Sequence, residues 1–311
     1  MNIIIELSKH ARKAEEYAYE RNNIPFITLL QGSQNYNLND ENSDVDTKTI
    51  VIPTWRKMVL DKQPLSTTLE MPDSSHVDIK DAREMIACYK KQNVNFVETL
   101  FTDYYKINVC ANLWDELLLH REDIAHYNRY AAVQCVRGQA YNKYKGFSHP
   151  SEGNKKIFEE YGYMPKELHH LFRNLVFLQK YLYDMPYKEC LVCSEEERDV
   201  LMYYKRTKIP LEQAEKDREW IFKQINAICD NYCLTHKNEF NKQTDDFLND
   251  WLYRLFKTVN DEKEIKYVYE DVGYSDNLSR VTRIKDPYEE KEYEYTYDDK
   301  NNTVECHCKG I

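Results

Sequence analysis

No stretch of this chain approaches the roughly 20 consecutive apolar residues that a membrane-spanning helix needs, so a bilayer-spanning segment is not expected. The first residues, MNIIIELSKHARKAEEYAYERNN, are apolar for only three positions and then charged. They read as an amphipathic helix rather than a signal peptide, and the expected address is the cytoplasm. Glycine is scarce, with seven in 311 residues. The nine cysteines are odd in number and scattered, which argues against a disulfide framework and for reduced thiols. Cys190-Leu-Val-Cys193 and Cys306-His-Cys308 each have the spacing of half a zinc site, but a site requires the two to meet in space. Plain thiols are the simpler reading. There are no internal repeats and no low-complexity linker. A formal net charge of −10 argues against non-specific duplex binding by the whole surface.

What is present suits a large soluble core. Hydrophobic residues make up 42% and charged residues 31%, and the length suggests about two domains. The 26 tyrosines favour strands and half-buried contacts. Charge is uneven. Residues 126–180 carry nine Lys/Arg against four Asp/Glu, while residues 261–311 carry fourteen acids against eight bases. The basic stretch could face phosphates or could be an ordinary solvated helical face.

Pattern divides the chain into three parts. Over residues 1–108 a helix at 2–21 is followed by strands at 25–31, 43–53 and 74–80. KMVLD and STTLEM are read as a short hairpin, and a helix follows at 81–93. Residues 109–258 are helical throughout, with Pro165 suited to a first helical turn and Ser194 with Glu197 matching a capping box. Residues 259–311 alternate polar and apolar with period two. The expected fold is α+β: a small α/β domain with a short mixed sheet, a helical middle domain, and a small C-terminal β appendage that could serve an oligomer or partner contact.

The chemistry concentrates in LLQGSQNYNLNDENSDVDTK, residues 29–48. Asp44 and Asp46 lie two apart on a strand candidate, so both side chains point to one face. Carboxylates so placed repel unless something positive sits between them, and a hard divalent cation such as Mg²⁺ suits their oxygens. A third carboxylate would allow two ions about 4 Å apart. Asp78 in HVDIK is the first candidate, ahead of Asp81, which looks like a helix N-terminus, and Asp73. Gly32 lets backbone approach a phosphate, and the Ser33 hydroxyl can hydrogen-bond to it. Without that Gly-Ser the aspartates would read as turn caps. Lys48, Arg137, Lys166 and Arg173 are candidate phosphate-binding cations. Arg137 and Arg173 lead because each sits among apolar residues on a helix and needs a partner. His169 and His170 read as packing or orienting groups. Glu98 with Asn93 and Asn95 reads as bracing a helix–loop junction.

These residues resemble the signature of the DNA polymerase beta-like nucleotidyltransferase superfamily: an apolar strand, Gly-Ser, a short gap, Asp-x-Asp, then a third acid on a later strand. The nearer likeness is to a bacterial and phage group of nucleotidyltransferases. That group follows with Asn-x-Asn-x-x-Glu-x-Leu, here Asn93 to Leu100, and with Lys-x-x-x-His-x-x-Arg, here Lys166 to Arg173. The likeness covers roughly residues 25–225 and departs in two places: Asn37 stands where glycine or a small residue is usual, and the gap from Asp44 to Asp78 contains a Pro- and Ser-bearing insertion. It implies Mg²⁺ (two ions) at Asp44, Asp46 and Asp78. It also implies a nucleoside triphosphate such as ATP held by Gly32 and Ser33, and transfer of a nucleoside monophosphate to an acceptor hydroxyl. The acceptor stays open between an RNA 3′ end, favoured by the basic, tyrosine-rich stretch, a protein side chain and a small molecule. A non-catalytic nucleotide-binding module, or a toxin or defence interaction module on the same fold, is the alternative.

Overall fold

The computed structural model describes residues 3–40, 43–60, 63–261, 266–271, 279–286, 291–298 and 303–310, with side chains described up to residue 260. Residues 1–253 form one unit and residues 254–311 a second.

The first unit opens with α1 (Ile3–Tyr19), whose buried residues Leu7, His10, Ala11, Ala14 and Ala18 recur at helical spacing. Strands β1 (Asn23–Gln31) and β2 (Asp46–Pro53) pair antiparallel, with Gln31 opposite Asp46 and Leu29 opposite Lys48. Strand β4 (His76–Asp81) runs parallel to β2, which sets Lys48 beside Asp78. Strands β3 (Ser66–Glu70) and β5 (Tyr105–Ile107) complete a mixed five-stranded sheet ordered β3-β4-β2-β1-β5.

Alternation along β2 and β4 gives the sheet two different faces. Val51, Val77 and Ile79 pack with Ala14 and Ala18 of α1 in a cluster sealed from solvent, each of the larger side chains contributing about 1.5–3 kcal/mol. Asp46, Lys48 and Asp78 point the other way, because they occupy the intervening positions.

The expected hairpin between KMVLD and STTLEM is not what forms. Lys57 N donates to the Thr54 hydroxyl at 3.2 Å, and this cap starts a short helix, α2 (Trp55–Leu60), directly after Pro53 ends β2. The hairpin is instead β3–β4, closed by a turn in which Ser74 takes a left-handed φ of 68°. Asp81 caps α3 (Ala82–Lys90) by accepting from Arg83 N at 2.8 Å, as its sequence position suggests. A short helix α4 (Val94–Val97) and a 3₁₀ turn over Glu98–Phe101 then lead into β5.

The helical part follows as α5 (Ala111–Leu119), α6 (Arg121–Ala125), α7 (Arg129–Gly146), α8 (Lys155–Tyr161), α9 (Pro165–Leu182), α10 (Tyr187–Leu191), α11 (Glu195–Arg206), α12 (Leu211–Thr235) and α13 (Lys242–Asp261). Pro165 sits at the start of α9, and Ser194 with Glu197 makes the capping box of α11. Phe26 of β1 meets Trp114 of α5 edge-on with centroids 6.3 Å apart, and Trp251 Nε1 donates to the Leu113 carbonyl at 2.7 Å. Sheet and helices therefore share one core.

In the second unit, strands β6 (Lys266–Asp271), β7 (Ser279–Asp286), β8 (Lys291–Asp298) and β9 (Thr303–Gly310) are antiparallel neighbours in that order. The side chains of Cys306 and Cys308 lie outside the described residues. Cys190 and Cys193 are buried free thiols, and burial pushes them up to about 12 and about 11. No helix of the described residues is long and apolar enough to cross a membrane.

Candidate active site

The site starts where β1 ends. Gly32 has φ 93° and ψ −153°, a backbone conformation that side-chain-bearing residues rarely adopt. A Cβ there would meet nothing within 4 Å, so the constraint is the backbone itself. The following turn, Ser33–Tyr36, is a single 3₁₀ helix that ends at Asn37 with φ 61°. That left-handed value accounts for the departure seen in the sequence, since asparagine is the usual substitute for glycine there. The turn is braced by Asn35, which donates to the Leu30 carbonyl at 2.9 Å.

The turn and the helical part are laced together. Arg198 Nε of α11 donates to the Asn37 carbonyl at 2.9 Å, Cys193 N donates to the Tyr36 carbonyl at 3.0 Å, and Arg206 pairs with Asp40 at 2.8 Å. These bonds hold the sheet wall and the helix wall around a cleft of about 880 Å³.

The sheet wall carries the acids. Asp44 is exposed just before β2, Val45 turns inward, and Asp46 opens the strand half-buried, so the two carboxylates share a face. Asp46 Oδ1 accepts from His76 N at 2.9 Å. Asp78 is engaged at both oxygens. Its Oδ1 accepts from the Thr68 hydroxyl at 2.6 Å, and its Oδ2 accepts from Lys48 Nζ at 3.2 Å and Gln31 Nε2 at 3.4 Å. Burial pushes the Asp78 carboxyl up, but the Thr68 hydroxyl and the Lys48 ammonium together outweigh it and hold it below its usual range. Lys48 is only 3% exposed, with its ammonium 4.5 Å from the centroid of the Phe96 ring. Burial lowers it, against the opposing pull of Asp78.

The helix wall carries cations and amides. Gln139, Asn142 and Lys143 form one stripe of α7, and Lys166, His169, His170, Arg173 and Asn174 form one stripe of α9. The Arg173 guanidinium lies over the Tyr36 ring at 4.2 Å from its centroid. Glu98 is 3% exposed yet lines the cleft, and burial raises it to about 7 against the pull of Arg173. Its Oε2 and the Nδ1 of His170 are buried without a hydrogen-bond partner. His169 Nδ1 donates to the Leu201 carbonyl at 2.8 Å, and burial lowers that ring to about 4.

Eight of the nine expected residues meet here: Gly32, Ser33, Asp44, Asp46, Lys48, Asp78, Lys166 and Arg173 all line the cleft. Arg137 does not. Its guanidinium turns to α12, donating to Asn226 at 2.9 Å and pairing with Asp230 at 2.8 Å, which satisfies a half-buried cation within the bundle. Asp81 and Asp73 are likewise spent elsewhere, on the α3 cap with Arg83 and on Ser75. Sequence reasoning passed over Lys143, Asn142, Gln139 and Lys205. The available signal was the i, i+3, i+4 polar spacing of Gln139, Asn142 and Lys143 within a helix otherwise read for charge alone.

Asp44 and Asp46 present the donors a hard divalent cation takes. Among the described residues, however, no three His, Cys, Asp or Glu side chains converge to hold one metal ion. All three expected carboxylates line the cleft, Asp78 with both oxygens hydrogen-bonded, one of them to Lys48.

No family model and no curated protein matches the chain. Among solved structures it is similar to the crystal structure of a nucleotidyltransferase-like protein from Exiguobacterium sibiricum, at 11% identity and a TM-score of 0.29, over 97% of this chain and 99% of that one. A likeness at that score adds nothing to the site, which stands on its own residues.

Proposed function

We propose that the chain is a Mg²⁺-dependent nucleotidyltransferase, which moves a nucleoside monophosphate from a nucleoside triphosphate to an acceptor hydroxyl and releases pyrophosphate. The observation that carries this reading is the convergence, in one cleft, of the Gly32-Ser33 turn, the paired acids Asp44 and Asp46, and the cations Lys166 and Arg173. Acids alone would suit many cations, and cations alone many anions. A strained glycine turn beside both suits a metal-bound polyphosphate.

Asp44 and Asp46 would hold the ion, which when bound supplies positive charge to the reacting phosphoryl group. The chain's own groups do the rest. The Gly32-Ser33 turn approaches the phosphates. Lys166 and Arg173 offset the charge that develops on departing pyrophosphate. Asp78, held ionised by Thr68 and Lys48, accepts the proton of the acceptor hydroxyl. The acceptor oxygen then bonds to the α-phosphorus as the bond to the bridging oxygen breaks.

Among acceptors an RNA 3′ end is favoured. Residues 126–180 carry nine Lys/Arg against four Asp/Glu, and on the face of α7 away from the cleft lining Lys145 lies over the exposed Tyr141 ring, 4.5 Å from its centroid. Exposed tyrosine beside lysine suits stacking on a base next to a phosphate. A cytoplasmic setting and ATP as donor fit the same reading. The test is incubation with each α-³²P-labelled nucleoside triphosphate, Mg²⁺ and total cellular RNA or protein, beside Asp44→Ala/Asp46→Ala. Label on an acceptor only with intact aspartates supports the transferase. Undiminished nucleotide binding with no label supports a binding module, and RNA binding without a salt slope removes RNA as acceptor.

A further inference from the structure

The cleft contains a buried lysine where a two-ion site would need open carboxylate oxygen. Lys48 lies two residues beyond Asp46 on the same face of β2 and is the register partner of Asp78 on β4. An ion bridging Asp46 and Asp78 would therefore share its space with an ammonium group. We propose that the site holds one divalent cation, at Asp44 and Asp46, and that the Lys48–Asp78 pair stands in place of a second. This rests on the transferase reading and narrows it.

Four observations carry the inference. First, the oxygens of Asp78 are already engaged, by Thr68 at 2.6 Å on one side and by Lys48 at 3.2 Å and Gln31 at 3.4 Å on the other. Asp46 keeps one oxygen outside its 2.9 Å bond from His76 N, and the Asp44 carboxylate stands exposed in the cleft. The open donors are those of a single ion. Second, Lys48 is placed to stay. It is 3% exposed and stacked on Phe96, itself buried, so swinging away would surrender both the Asp78 bond and the ring contact. Third, Lys48 offsets the charge of one of the three sheet-wall carboxylates, Asp78, and leaves the Asp44 and Asp46 pair for an ion. Fourth, the Thr68 and Gln31 bonds orient Asp78 whether or not an ion is present, so it needs no metal to be positioned beside an incoming hydroxyl.

Chemically, the role usually given to a second ion, drawing negative charge onto the attacking oxygen, falls to the Lys48 ammonium, while Asp78 takes the proton. No bond to Lys48 forms or breaks.

The test is a count. Mn²⁺ is titrated into the full chain with a saturating triphosphate analogue whose α–β bridge is methylene, followed by calorimetry and by the spin-resonance signal of free Mn²⁺. The expected result is one ion per chain in the native protein, still one in Asp78→Asn, and none held tightly in Asp46→Asn. Lys48→Met is expected to admit a second ion at the vacated Asp78, and Lys48→Arg to keep the count at one, with circular dichroism reporting whether each variant folds. Two ions in the native chain, or loss of an ion on Asp78→Asn, overturns the inference, and the native count decides it even if no lysine variant folds. The transferase reading fails separately. Two ions with transfer intact removes only the inference, whereas no ion and no transfer removes both.

Discussion

The two faces of the sheet treat buried polar groups in opposite ways. Towards α1, the His10 ring is fully buried with both nitrogens engaged, Nδ1 with the Thr47 hydroxyl and Nε2 with the Ser75 hydroxyl, each at 3.0 Å. Ser75 in turn bonds to Asp73, and Thr28 to Thr49 at 2.9 Å. Burial lowers the His10 pKa, so the ring sits neutral in a closed network. Towards the cleft the balance reverses. Glu98 Oε2 and His170 Nδ1 have no partner, and no described acceptor receives a bond from the Arg173 guanidinium, whose recorded contact is the Tyr36 ring. An unpaired buried polar atom costs about 1–3 kcal/mol. Single unpaired atoms occur elsewhere, Trp114 Nε1 among them. The cleft differs in gathering an acid, an imidazole and a guanidinium around one ligand-sized volume. The closed network reads as structure and the open one as a site kept for a ligand.

The largest effect should separate chemistry from folding. Asp46→Ala is expected to lower nucleotide transfer on the order of 10³-fold or more with an unchanged melting temperature, measured by label transfer and circular dichroism. A comparable loss of stability would move Asp46 to the structural side. The next effect concerns pH. Glu98 is raised from 4.5 to about 7 by burial, so the folded state holds a proton that the unfolded state releases between those values. Stability contributed by this group is therefore present below pH 4.5 and falls as pH rises to about 7, by about 3 kcal/mol in all. Glu98→Gln should remove that fall. His169, lowered to about 4, acts in the opposite sense, because stability is lost as pH drops from 6.5. The measurement is accordingly the difference between native and Glu98→Gln urea unfolding from pH 4.5 to 8, in which the His169 contribution cancels. A flat difference would show that Glu98 is paired in solution.

Much of the sheet wall was readable from the chain. Period-two alternation placed Asp44 and Asp46 on one face, and Gly32 carried its own backbone signal. Lys166, His170 and Arg173 came from the resemblance, and their i, i+4 and i+7 spacing puts them on one side of α9. What could not be read depends on register between distant segments. Nothing local to Lys48 says that β4 runs parallel to β2 and sets Asp78 beside it, which is why the lysine was counted as a phosphate cation rather than as the partner of the third acid. Arg137 failed for the same reason: its need for a partner was evident, but Asp230 lies 93 positions away on α12. Glu98 looked like a local brace because the capping role is local, and Asn93 does cap α4. Its burial in the cleft is a tertiary fact. The KMVLD segment was misread because an apolar run of three residues does not distinguish a strand from a helix begun by Thr54.

Two smaller effects test the contrast from either side. His10→Ala leaves the Thr47 hydroxyl without its partner, takes from Ser75 one of its two bonds, and is expected to cost about 2–3 kcal/mol of stability in urea unfolding. The surviving folded protein should bind nucleotide as the native chain does. Arg173→Met should do the reverse. It removes a cation that no described protein group accepts, and leaves an apolar side chain against Tyr36. Stability should hold or rise slightly, because burial of the charged group already works against it. Affinity for a nucleoside triphosphate should fall about tenfold, the value of one hydrogen bond to a charged group, while affinity for the bare nucleoside stays level, since the lost partner is phosphate. Equal losses for nucleoside and triphosphate would move Arg173 from the phosphates to the base. A loss of stability without a loss of binding would place it with His10, among groups whose work is to hold the fold.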